Sequence, residues 1–293
     1  FPSDRYAAES QVRFHGLDPA RDLIEIAPRD GEDWLRTEDI IATIEREGAR
    51  IATILLPGVQ YLTGQLLDIE AITAAGRKAG CVVGWDLAHA VGNVPVALHD
   101  AGADFAVWCN YKYLNGGPGA VGGAFVHARH ATDVSLPRFA GWWGHQKATR
   151  FLMAPEFKPT PGAEGWQLSN PPILAMAPLA ASLEHFAAAG LPALRQKSVA
   201  LTGYFERLVQ ARLAGRVEII TPSDPQARGA ALSLRLVGLT RDRARAVFDG
   251  LRQRSILPDW REPDVIRAAP VPCYIRFDDA WRGVDALHAE LGT

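Results

Sequence analysis

Short apolar runs alternating with helix-patterned segments constrain this chain more than any other feature of its sequence. Residues 49–56 (ARIATILL), 81–85 (CVVGW) and 103–109 (ADFAVWC) are apolar on both alternating faces. Strands of that kind sit in parallel sheets covered by helices. Between them, 37–47 carries Ile40, Ile41 and Ile44 among acids, an amphipathic helix with Thr37 as its N-cap. Residues 68–78 form the next helix, stopped by Gly80. Residues 22–27 (DLIEIA) read as one further short strand and 124–127 (AFVH) as another. A long helix over 173–189 carries the chain out of this unit, and the texture then changes. Helices over 192–213, 241–254 and 277–291 accompany strands over 217–221, 230–237 and 265–269, whose apolar residues alternate. The expected architecture is α/β: a large domain over 1–190 with a mostly parallel sheet, and a small α+β domain over 191–293.

Composition narrows the partners. Lys plus Arg is 31 and Asp plus Glu is 33, a net charge of −2, so no basic surface calls for nucleic acid or an anionic membrane. The longest apolar stretch, 173–183, contains Pro178 and falls well short of the roughly 20 residues of a spanning helix. Residues 1–10 are polar and lack the apolar core of a signal peptide. Cys81, Cys109 and Cys273 are odd in number and far apart, which points to a reducing cytoplasm rather than a disulfide framework. They form no CxxC pair, and no metal site is expected.

The chemistry concentrates in residues 85–123 (WDLAHAVGNVP to NYKYLNGGPGAVGG). In open parallel sheets, ligands bind beyond the carboxyl ends of the strands. Asp86 closes one candidate strand and Lys112 lies just past the next. Singly, Asp86 reads as a turn former and Lys112 as a solvated loop lysine. Together, a carboxylate and an amine at one sheet edge are what pyridoxal 5'-phosphate (PLP) requires: a Schiff-base lysine, and an anion that keeps the pyridine nitrogen protonated. His89, three residues after Asp86, shares its face within a helical turn. The GGPGAVGG stretch lacks the Lys-Ser/Thr of a phosphate loop and instead lets backbone pass close to the lysine.

These segments, DLAHAVGN and YKYLN, resemble the fold-type I PLP enzymes of the aminotransferase class V group. More narrowly, the chain is similar to the kynureninase family through FPSDRY at 1–6, TGQLLDI at 63–69 and the long stretch 91–119. The likeness continues through GWWGH at 141–145, SNPPIL at 169–174, the 197–204 segment, RG at 228–229 and VIRAAPVP at 265–272.

The resemblance implies hydrolysis of L-kynurenine or 3-hydroxykynurenine to anthranilate or 3-hydroxyanthranilate and L-alanine, in tryptophan catabolism and NAD biosynthesis. It makes Lys112 the cofactor lysine and α-proton base, Asp86 the pyridinium partner and His89 a neighbour of the ring. Phe1 would stack on the pyridine, with Pro2, Ser3 and Asp4 on the same side. Tyr111 would contact the phosphate and assist proton transfer. Trp142 and Asn170 would reach the phosphate across the interface of a homodimer whose sites are shared between chains. Ser169 and Asn170 would lie near the substrate's aryl end, and Arg267 would clamp its α-carboxylate, a task for which a planar fork of donors is better suited than lysine.

Three positions depart from the family pattern: Pro57 where a hydroxyl is usual, Asn110 where a small hydroxyl residue precedes the tyrosine, and Ile275 in place of an asparagine. The family also has a sizeable portion ahead of FPSD, so the resemblance implies a segment before Phe1. Two alternatives stand beside this reading. A cysteine desulfurase or related lyase would carry His before the lysine and a reactive loop cysteine, whereas here Tyr111 precedes Lys112 and Cys273 lies between Pro272 and Tyr274. An inert scaffold retaining only the fold would not need Lys112, Asp86 and Arg267.

Overall fold

The computed structural model describes residues 1–292. The chain starts with helix α1 (Pro2–Phe14), which buries none of its residues. It is held by Glu9, whose carboxylate bridges Arg5 and Arg13 one turn to either side. Residues 22–27 are not a strand. A short helical turn, α2 (Pro19–Asp22), takes up the first of them, capped by Asp18 onto the Ala20 amide. The following Leu23 to Ala27 finds no sheet partner, although Ile26 packs on the core from outside. Helix α3 (Thr37–Glu47) follows the expected apolar stripe, with Ile40 and Ile44 buried, but Arg36 occupies the cap position and Thr37 is already helical.

The first sheet has the order β1 (Thr53–Pro57), β2 (Val82–Asp86), β3 (Phe105–Cys109), β4 (Gly122–Val126). The first three strands run parallel and β4 returns antiparallel to β3. Helix α4 (Ile69–Lys78), capped by Asp68, bridges β1 to β2, and the four-residue α5 (Leu98–Ala101) leads into β3. Ile54, Val83, Trp85 and Ala106 turn one face of the sheet toward α3 and α4 and form one core with Ile40, Ile44 and Ile72. The Trp85 indole N–H donates to the Thr73 hydroxyl at 3.0 Å, so this buried polar atom is satisfied. The opposite face differs from the expectation of strands buried on both sides: Leu55, Val82 and Val107 are exposed, because no helix among the described residues packs over them.

Helices α6 (Ile173–Ala189) and α7 (Leu191–Arg212) lead to a second sheet. It comprises β5 (Val217–Ile219), β6 (Leu232–Leu236), β7 (Asp259–Arg261) and β8 (Val265–Ala268), ordered β5-β6-β8-β7 and antiparallel throughout. With α8 (Arg241–Gln253) and α9 (Phe277–Leu291) it encloses a second core that includes Leu213, Leu232, Leu234, Val247, Phe248, Ile266 and Val284. Burying each such aliphatic side chain contributes about 1.5–3 kcal/mol. The three-residue β7 was not read from the sequence. The two sheets meet where the Ala230 amide donates to Asn93 Oδ1 at 2.8 Å and the Leu66 amide to the Ala227 carbonyl at 2.9 Å.

Candidate active site

The site begins at the carboxyl end of β2. Asp86 Oδ1 accepts the Ala88 amide at 2.8 Å, which turns the chain into tight successive turns through Val94. Gly92 lies in the left-handed region at φ +77°, and a Cβ there would sit 3.0 Å from the Tyr113 carbonyl oxygen. Only glycine lets this turn approach the segment after β3. That approach brings Asp86 and His89 to Tyr111, Lys112 and Tyr113.

Asn110 explains its own departure from the family pattern. It is buried, accepts the Trp108 indole N–H at 2.9 Å and donates to the Val121 carbonyl at 2.6 Å, while its own carbonyl takes the Gly116 amide. The glycine-rich stretch is thereby pinned to β3, and a Cβ on Gly116 would come within 2.8 Å of the Asn110 carbonyl oxygen. The glycines close this loop onto Asn110 as well as leaving room near the lysine. Pro57, at the end of edge strand β1, pairs in register with Asp86, a position where a missing N–H breaks no ladder.

The opposite wall comes from the second sheet. Arg267 projects from β8 and donates Nη2 to Asp259 Oδ2 at 2.5 Å and Nη1 to the Tyr61 carbonyl. Between the walls lies a cleft of about 820 Å³, lined among others by His89, Tyr111, Lys112, Tyr113, Arg267 and Ile275. Lys112 has no ion-pair partner among the described residues, and its Nζ stands 5.8 Å from the Tyr111 ring centroid.

The electrostatics suit a polar ligand. Burial, then the neighbouring Asp4 carboxylate, push the Asp86 carboxyl above the usual range, while the Ala88 amide and Lys112 pull the other way. Burial pushes the Tyr113 phenol up to about 12. Contact with the Cys109 thiol, followed by burial and the Asp86 charge, raises the Tyr111 phenol. Burial also lowers Arg267, and Arg261 adds to this by repulsion.

His89 is pushed down to about 3 by burial, with Lys112 and Arg267 contributing. No hydrogen bond joins it to Asp86 among the described residues; its ring meets Tyr113 edge-on at 6.0 Å. Below about pH 6.5 the unfolded chain binds a proton at this position that the folded chain refuses until about pH 3. Stability should therefore fall with pH across that window and be unaffected by this group above it. Between pH 7 and pH 5, urea unfolding of the wild type should lose about 1–2 kcal/mol more than that of His89→Gln. Equal losses would show that His89 titrates normally.

The amino-terminal residues divide. The Phe1 ring lies edge-on to Tyr61 at 5.1 Å, and Asp4 sits beside Asp86. Pro2 and Ser3 are exposed on the first turn of α1. Trp142, Ser169 and Asn170 do not join the cleft within this chain. Trp142 packs on Trp143 and Phe151, and Ser169 bonds Asn170 on an exposed stretch. Sequence reasoning missed Tyr61, Tyr113, Asp259 and Arg261. Tyr113 stood in the YKYLN segment beside the lysine; the others carried no signal, since Arg and Asp are exposed by default.

Comparison with known proteins adds independent findings. Residues 194–287 match the family model of the kynureninase C-terminal domain. The chain is 58% identical to kynureninase from Stenotrophomonas maltophilia, over 100% of its own length and 69% of that protein. It is 56% identical to kynureninase from Koribacter versatilis, over 99% of its own length and 68% of the relative. For kynureninase from Xanthomonas campestris pv. campestris the identity is 59%, over 95% and 65%. The chain thus spans about two thirds of the length of these curated relatives. Its fold is similar to that of an apo cysteine desulfurase from Thermococcus onnurineus, with a TM-score of 0.77, 16% identity and coverage of 98% of this chain and 69% of that one. It is also similar to a C-DES variant with glycine covalently linked to its PLP cofactor, with a TM-score of 0.70, 20% identity and coverage of 85% and 63%.

Proposed function

Because this chain belongs to the kynureninase family, we propose that it hydrolyses L-kynurenine or 3-hydroxykynurenine, releasing anthranilate or 3-hydroxyanthranilate and L-alanine, with PLP as cofactor. The activity would serve tryptophan catabolism and the supply of NAD precursors. The observation that carries this reading is that Lys112 and Arg267 line one cleft while Asp86, outside its lining, lies near enough to Lys112 to feel its charge.

The residues present fit the cofactor. Asp86 is a half-buried carboxyl raised by burial and by Asp4, and among the described residues no cationic side chain bonds to it. A protonated pyridine nitrogen is the partner this environment lacks. When bound, PLP supplies an electron sink for the negative charge that develops at the substrate's α-carbon. Lys112 would hold the cofactor and carry the α-proton, work open to an amine with no ion-pair partner among the described residues. Phe1 would stack on the ring, with Pro2, Ser3 and Asp4 alongside, and neutral His89 would pack beside it without adding charge. The Tyr111 phenol, raised above its usual value, holds its proton at working pH and is suited to donate it. Arg267 receives the α-carboxylate.

Three further elements belong to the same reading. The protein divides into a large domain over 1–190 and a small one over 191–293, in keeping with two separate cores. It works as a homodimer with shared sites, in which Trp142, Ser169 and Asn170 serve the partner's cleft. Exposed Phe139, Phe151, Leu152, Ile173 and Leu174 mark the segment that would be covered. It resides in the cytoplasm, where three unpaired cysteines are kept reduced. Among the described residues, no single helix is long and apolar enough to cross a membrane.

The fold likeness alone favours a desulfurase as the second reading. Partial burial holds the Cys273 thiol above its usual value, the reverse of what a persulfide-forming nucleophile needs. The test is incubation of the full-length protein and PLP with L-kynurenine and, separately, L-cysteine. Anthranilate and alanine in equal amounts are expected; sulfide without anthranilate would overturn the assignment.

A further inference from the structure

We propose that Asp259 is a positioning residue that holds Arg267 in the orientation that receives the substrate carboxylate and, with Arg261, sets the cleft for an anion of single charge. The proposal rests on the kynureninase reading of the site.

The geometry starts from strand register. Asp259 on edge strand β7 lies directly across from Arg267 on β8, so their side chains share a face. Arg261, two residues on, projects from the same face as Asp259. One oxygen, Asp259 Oδ2, accepts from Arg267 Nη2 at 2.5 Å and from Arg261 Nη2 at 2.6 Å. Arg267 Nη1 donates to the Tyr61 carbonyl, so both ends of its fork are fixed. Of the five N–H donors on a guanidinium, these bonds engage two, and the rest remain for a ligand.

Tyr61 gathers the cluster from the other side. The Arg261 guanidinium stands 5.6 Å from its ring centroid, and Phe1 packs edge-on against the same ring. Arg261 Nε is buried and has no acceptor among the described residues. Within this cluster, two guanidiniums and one carboxylate leave one positive charge uncompensated where Arg267 is only 12% exposed; of the other charged groups lining the cleft, Arg282 pairs with Asp279 and Lys112 is the group assigned to the cofactor. An α-carboxylate carries the charge that balances this set. A dicarboxylate brings one too many, and an amide brings none.

Asp259 also repels an incoming carboxylate, which works against its positioning role. Two charge-assisted bonds are lost with it, however, and the repulsion is one that Arg267, bonded to it, already offsets. The net effect of removing the charge is therefore weaker binding, because Arg267 and Arg261, left to repel each other, no longer share an anchor.

The test uses the full-length holoenzyme and spectral titration with L-kynurenine and with its α-carboxamide. Asp259→Asn should weaken kynurenine binding roughly 10- to 100-fold and change carboxamide binding little. KM should rise by the same factor while kcat and PLP affinity stay within about threefold, and Asp259→Glu should recover part of the loss. Parallel weakening of both ligands, parallel loss of PLP, or tighter kynurenine binding would each overturn the assignment. A wild type that neither binds nor turns over kynurenine would sink the parent reading instead.

Discussion

Lys112→Ala is expected to abolish covalent attachment of PLP and to lower kynurenine turnover by at least about 10³-fold. The side chain makes no ion pair among the described residues and lies in a loop, so its loss removes little that holds the fold together. Stability should change by no more than about 0.5 kcal/mol, which separates a chemical defect from a folding one. Borohydride reduction followed by peptide mass analysis reads the result directly. The wild type should carry the cofactor's mass on the peptide containing Lys112, and the variant should carry none. A variant that retains turnover would move the proton-transfer role to another residue. A wild type with no label after supply of PLP would favour the inert-scaffold alternative.

Arg267→Ala should raise KM for kynurenine and lower kcat/KM by roughly 30- to 1,000-fold, the range for truncating one partner of a buried, hydrogen-bonded charge pair. Some destabilisation accompanies this, because the Tyr61 carbonyl loses its donor and Asp259 is left with Arg261 alone. PLP affinity is the control, since Arg267 is placed to meet the substrate and not the cofactor. Arg267→Lys keeps the charge but loses the fork and should fall between the two. Equal loss of substrate and cofactor affinity on titration would refute the carboxylate role.

The sequence reading reached the parts of the site that sit where periodicity ends. Asp86 and Lys112 were legible because each follows a continuous apolar strand, and strand ends in a parallel sheet are where ligands bind. It failed where local pattern lacks a tertiary counterpart. The apolar residues of 22–27 suggested a strand, but no neighbouring strand is there to pair with. Helix α1 went unread because it buries nothing and so shows no apolar stripe. Trp142, Ser169 and Asn170 came from resemblance alone, and within one chain nothing draws them to the cleft. Asp259 and Arg261 were invisible for a different reason. Their meaning lies in the residue opposite, and a three-residue strand gives no period from which a partner can be inferred.

That pairing makes the turn over 262–264 unusual among the surface connections of this protein. Surface turns ordinarily tolerate changes of length. Here one inserted or deleted residue would threaten the β7–β8 register, and a one-residue slip moves every side chain of the shifted strand to the opposite face. Edge strand β7 would take up such a slip: Asp259 and Arg261 would leave the face that Arg267 occupies, and Trp260 would leave the core it packs against. Variation in this hairpin should therefore be free in residue type and closed in residue number.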